Sequence, residues 1–156
     1  MANIAKRAGV SVATLYVYYA DKQAMLSAVY LEIKALFDDD LMQPQGGSLS
    51  LETCLKLTLR TYARLICAHP KEAAVMQIFN HNPELVTAET FQLAMAHAKP
   101  LQDLYQQGVQ TGILRDTAPE ILIAFSFSAF DSLQERRSRD QQLLSEVEIE
   151  TIIEMS

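Results

Sequence analysis

Gly9-Val10-Ser11 is the feature that most limits how this chain can fold. Before it, Ile4, Ala5 and Ala8 set small and apolar side chains on one face of a short helix. Glycine accepts positive φ without a Cβ penalty, so Gly9 is where the chain leaves that helix. Ser11 is then placed to cap a second short helix, with Val10 buried beside it. Leu15 and Tyr19 recur at helical spacing and face inward, which leaves Val12, Ala13, Thr14, Val17 and Tyr18 pointing elsewhere. Asp21 caps a third helix that starts at Lys22. Two short helices joined by a glycine turn form a helix-turn-helix, whose second helix enters the DNA major groove.

The run Ile4-Ala5-x-x-Ala8-Gly9-Val10-Ser11, then Thr14-Leu15-Tyr16-x-Tyr18-Tyr19-x-Asp21-Lys22, resembles without gaps the DNA-binding signature of the TetR family of bacterial transcriptional repressors. Tyr19 stands where the family usually carries Phe. The family also places a whole further helix before the counterpart of Ile4, where this chain has Met1-Ala2-Asn3. The head is therefore expected to be incomplete, with residues 1–20 loosely packed and operator binding weakened.

The resemblance implies an all-α homodimer in the cytoplasm. Residues 1–40 would read double-stranded operator DNA, and residues 41–156 would bind a small hydrophobic effector and dimerise. Position by position, Ser11, Thr14, Tyr18 and Lys22 would contact phosphates or groove edges, while Val12, Ala13 and Val17 would touch bases. Val17 stands at a position that is often polar or basic in the family. Here it offers only apolar contact, for instance to a thymine methyl. The alternative is a helical small-molecule-binding dimer that does not bind DNA in this form.

A net charge of −6 looks ill suited to DNA until it is divided. Within residues 1–35, Lys6, Arg7, Lys22 and Lys34 face only Asp21 and Glu32, so the acidic excess lies in the remainder. A basic reading head on an acidic body confines phosphate binding to one end.

With five glycines, five prolines and no strand-like alternation, the rest of the chain should be helical too. The helix over 22–41 carries Met25, Leu26, Val29, Tyr30, Ile33, Leu36 and Phe37 at helical steps and links head to body. Asp38-Asp39-Asp40 oppose its dipole, which predicts fraying. Pro44-Gln45-Gly46-Gly47-Ser48 reads as a linker. A helix over 50–68 ends at His69-Pro70, and Pro70 starts a short one through Val75, Met76 and Phe79. A longer helix over 84–111 should be kinked or split by Pro100. Thr117-Ala118-Pro119-Glu120 reads as a capping box opening a helix over 119–137, and Ser145-x-x-Glu148 opens the last one.

Several chemistries are set aside at this level. His69, His81 and His97 lie on separate segments with no ligand spacing, so no metal is expected. Ser126, Ser128 and Ser132 near Asp131 lack a nucleophile elbow or a partner histidine, and neither an enzyme nor a cofactor is expected. Gly108 and Gly112 do not make a phosphate loop. The apolar run 121–130 is shorter than the ~20 residues of a membrane span, and Lys6 and Arg7 are not followed by a continuous apolar stretch, so no signal peptide is visible. Cys54 and Cys67 fall on one helix, about 20 Å apart along its axis, and so cannot pair. They read as core thiols suited to a reducing compartment.

Tyr62, Met76, Phe79, Phe91, Met95, Tyr105 and Phe127 read either as core or as the lining of an apolar cavity between helices 50–68, 84–111 and the start of 119–137. The 119–137 helix is apolar nearly all round at its start, so one face should meet the core and the other a two-fold mate. Ser126, Ala129, Phe130 and Leu133, with Ile149, Ile152 and Ile153 of the last helix, are the expected dimer contacts in an intermolecular four-helix bundle.

Overall fold

The Gly9 turn sets the scale of the first two helices. The computed structural model describes residues 1–41 and 49–156, so the linker expected at residues 44–48 lies outside the described residues. In it α1 (Ala2–Ala8) ends at Gly9 with φ 68°, and Val10 N–H donates back to Ala5 C=O at 3.0 Å. Ser11 Oγ accepts from Thr14 N–H at 3.0 Å and starts α2 (Val12–Tyr18). Ala5 is buried and Leu15 and Tyr19 are half-buried, but Ala8 is exposed. Val10 is 39% exposed rather than buried, because two seven-residue helices cannot cover each other fully.

α3 (Lys22–Leu41) opens with Asp21 Oδ1 accepting from Ala24 N–H at 2.7 Å. Met25, Tyr30, Ile33 and Phe37 are buried, while Leu36 is partly exposed. The expected fraying at Asp38 is not found: the helix runs to Leu41, and Asp38 is buried with Lys34 Nζ 3.0 Å from its carboxylate. A cation one turn earlier offsets the unfavourable dipole.

α4 (Leu51–Ala68) is capped by Ser50, and α5 (Pro70–His81) starts on Pro70. The expected 84–111 helix is three pieces. A 3₁₀ turn (Pro83–Leu85) comes first, then α6 (Ala88–His97) capped by Thr87, then α7 (Lys99–Gln110). Pro100 lies in the first turn of α7, where its missing N–H costs nothing, so the chain breaks at Ala98 rather than kinking.

α8 (Pro119–Arg139) starts without the expected capping box. The cap residue is Ala118, so Thr117 sits one residue too early for its hydroxyl to reach the first turn. In α9 (Glu146–Met155) the Ser145–Glu148 box forms in both directions.

α4 is the central helix, packing on α3, α5, α7, α8 and α9. The main core joins Ile33 and Phe37 of α3 to Leu59, Ala63 and Ile66 of α4, Phe130 of α8, and Ile149 and Ile153 of α9. A second cluster surrounds Tyr30 with Phe79, Val86 and Ala94. α3 contributes to both, and it also holds the 86–87 connection. Gln23 Nε2 donates to Val86 C=O at 3.3 Å, and Ser27 Oγ accepts from Thr87 N–H at 3.3 Å.

Candidate functional site

Ser11, Val12, Ala13, Thr14, Val17, Tyr18 and Lys22 are all exposed. Val17 is 79% and Tyr18 76% exposed, too much for large side chains unless a partner covers them. Ser11 Oγ is partly committed, lying 2.8 Å from Thr14 Oγ1 as well as capping the helix. Tyr16, in the same helix, is exposed as well. Residues 1–20 carry no acidic side chain, and Lys6 and Arg7 stand exposed in the last turn of α1. The surface can therefore offer apolar and hydroxyl contacts flanked by positive charge.

In the body, the seven residues expected to line a cavity do not gather around one. Tyr62, Met76 and Phe127 pack against the main core, and the Tyr62 ring lies 4.5 Å from Phe127 and 6.4 Å from both Phe37 and Phe130. Phe79 and Phe91 belong to the second cluster, where Phe79 meets Tyr30 at 5.1 Å. Met95 is exposed. Of the seven, Tyr105 lines a cleft among the described residues.

That cleft has a volume of about 470 Å³. Its walls are Leu55 and Leu59 of α4, Tyr105 of α7, Ser126 of α8, Ile153 of α9, and Ile113 and Leu114 from the turn after α7. Glu52, Lys56 and Glu154 also border it, and Lys56 Nζ sits 2.6 Å from Glu52. Gly108 makes the shape possible. A Cβ there would lie 2.6 Å from Leu114 Cδ1, so glycine lets the turn fold back, with Leu114 N–H donating to Gly108 C=O at 2.9 Å. Gly112, at φ 73°, reverses the chain between them.

A half-buried polar cluster ties three helices together beside the core. Asp131 of α8 accepts from Tyr62 Oη at 2.5 Å and from Gln77 Nε2 at 2.7 Å. Burial pushes the Asp131 carboxyl above the usual carboxylate range, against the pull of those two hydrogen bonds and of His81. Burial and the Asp131 charge likewise raise the Tyr62 phenol. A carboxyl raised in the folded state stabilises fully below its unfolded value, about 4, and that stability is lost as pH rises through the folded value. Urea midpoints should therefore show a falling contribution as pH is raised from 4 towards neutrality. Asp131→Asn should remove that slope while leaving the pH 4 midpoint nearly unchanged. A variant with the wild-type slope would mean that Asp131 does not titrate in this range.

The expected dimer residues divide. Ser126, Phe130, Ile149 and Ile153 are buried inside this chain, and Leu133 and Ile152 pack half-buried against its core. Ala129 is exposed. The open face of α8 instead carries Ile121 at 60% and Phe125 at 66% exposure, continuing through Ser128, Ala129 and Ser132. Val147 and Met155 are exposed on α9.

Among the described residues no three His, Cys, Asp or Glu side chains come together as a metal site, and no helix is long and apolar enough to cross a membrane. Cys54 and Cys67 are unpaired and half-buried, and burial pushes the Cys67 thiol up.

Two family models match the chain. That of the bacterial regulatory proteins of the tetR family matches residues 1–29, and that of the tetracyclin repressor-like C-terminal domain matches residues 62–156. Among solved structures, a TetR family transcription regulator from Marinobacter aquaeolei VT8 is similar, with a TM-score of 0.83 and 26% identity. The match covers 97% of this chain and 79% of that one. A comparison with curated proteins finds no match.

Proposed function

Because the chain belongs to the TetR family of bacterial regulatory proteins, we propose that this transcription regulator is a cytoplasmic repressor released by a small hydrophobic effector. It holds operator DNA as a homodimer, with α2 in the major groove. The open face of α8, together with α9, meets its two-fold copy in a four-helix bundle.

The observation that carries this reading is the course of α3. It begins at the head, capped by Asp21; its middle, around Tyr30, enters the second core cluster, and its far half, with Ile33 and Phe37, enters the main one. α4 lines the cleft with Leu55 and Leu59 and packs on α3, where Tyr62 faces Phe37. A ligand wedged against α4 therefore bears on α3, and α3 carries the head. Two heads must sit about 34–36 Å apart to enter successive major grooves. An effector that favours any other spacing shifts the population away from DNA, provided it binds that state more tightly.

Mobility shift on DNA from upstream of the chain's own gene tests the head. Lys22→Ala should weaken binding to every sequence and lower the salt slope by about 1 per site, since a phosphate contact carries no sequence information. Val17 substitutions should change which bases are preferred. If both variants merely scaled affinity alike on all sequences, α2 would not be the reading helix.

A further inference from the structure

We infer that the effector is a neutral, largely apolar molecule with one hydrogen-bonding group, received by Tyr105 and Ser126 in the cleft between α4, α7 and α8. The inference rests on reading the body as an effector domain, and it specifies the ligand's chemistry. Tyr105 is 2% and Ser126 5% exposed, yet both border the cleft, whose other buried walls are Leu55, Leu59 and Ile153. A hydroxyl can both donate and accept, so this pair satisfies an alcohol, a phenol or a carbonyl equally well. Burial raises the Tyr105 phenol, partly offset by Ser126, so it stays protonated at neutral pH and remains a donor.

Charge argues the same way. Of the charged groups bordering the cleft among the described residues, Glu52 and half-buried Lys56 are neutralised by pairing with each other, and Glu52 and Glu154 are exposed. None stands at the buried wall. An ammonium or carboxylate carried down to Tyr105 would lose its hydration without gaining an opposite charge. The volume of about 470 Å³ lies within the range of small-molecule pockets.

Three probes built on one naphthalene ring separate the possibilities: 1-naphthol, 1-naphthoate and 1-naphthylmethylammonium, titrated calorimetrically into the full chain. Naphthol should bind at least tenfold more tightly than either ion. Tyr105→Phe and Ser126→Ala should each weaken it by roughly three- to tenfold, the worth of one hydrogen bond, with melting temperatures within a few degrees of wild type. An ion that binds as well as naphthol overturns the charge class. Naphthol binding unchanged in both variants overturns the site, and no binding of any probe at millimolar concentration overturns both. Mobility shift on the same preparations keeps the two readings apart. DNA retained without naphthol binding sinks this inference alone, whereas naphthol bound by a chain that ignores DNA sinks only the repressor reading.

Discussion

Phe125→Arg should convert the proposed dimer to monomer and lower operator affinity by at least about a hundredfold, while its helical content stays that of wild type. Phe125 is 66% exposed on an outward stripe of α8 with Ile121 and Ala129, so within one chain it supports almost nothing. Contiguous apolar exposure of that kind marks a surface meant to be covered. In a two-fold interface each substitution occurs on both sides, so one change places two guanidinium groups in what would be a desolvated contact. A monomer has one head. It loses the second half-site, and with it the effective concentration that linkage supplies. Sedimentation and mobility shift at one salt concentration decide the matter, with Ala129→Arg as a second variant on the same stripe. Both variants remaining dimeric at unchanged affinity would remove α8 from the interface.

The same helix carries the largest stability effect five residues on. Phe130→Ala should cost about 3–5 kcal/mol, the range for a large side chain removed from a filled core. Phe130 is fully enclosed, packed in the cluster with Leu59, Ile66, Ile149 and Ile153, and the Tyr62 ring lies 6.4 Å away. Its removal leaves a void between α4, α8 and α9 that rigid helices close only in part. Urea unfolding should be measured in the Phe125→Arg background, so that dissociation does not enter the midpoint. A loss below about 1 kcal/mol would show that the core collapses onto the gap.

The contrast between Phe125 and Phe130 shows where the chain's own text runs out. Caps and turns were legible because each depends on groups within four residues. Gly9 takes positive φ, Ser11 and Asp21 accept from the first turns they precede, and Ser145 and Glu148 close their box. Proline at the start of α5 and α8 is equally local. Thr117 failed as a cap by a single residue, a register set by where α8 begins and not by residue type.

Periodicity marks a face as apolar without saying what covers it. α8 is apolar on two sides, and only the packing of α4, α7 and α9 against the Ser126–Phe130 stripe left the Ile121–Phe125 stripe open. The aromatic residues were recognisable as buried, but their layer was not. Tyr62 and Phe127 went to the main core, Phe79 and Phe91 to the second cluster, and Tyr105 to the cleft. The Asp131 cluster joins residues from α4, α5 and α8 that lie 54 and 69 positions apart, a separation that carries no local signal. The sequence by itself determined that the chain is helical, most of its caps and the turn that aims α2, but not the break of 84–111 into three pieces. Which face met which, and therefore where a ligand or a second copy can sit, depended on long-range packing that no stretch of residues specifies alone.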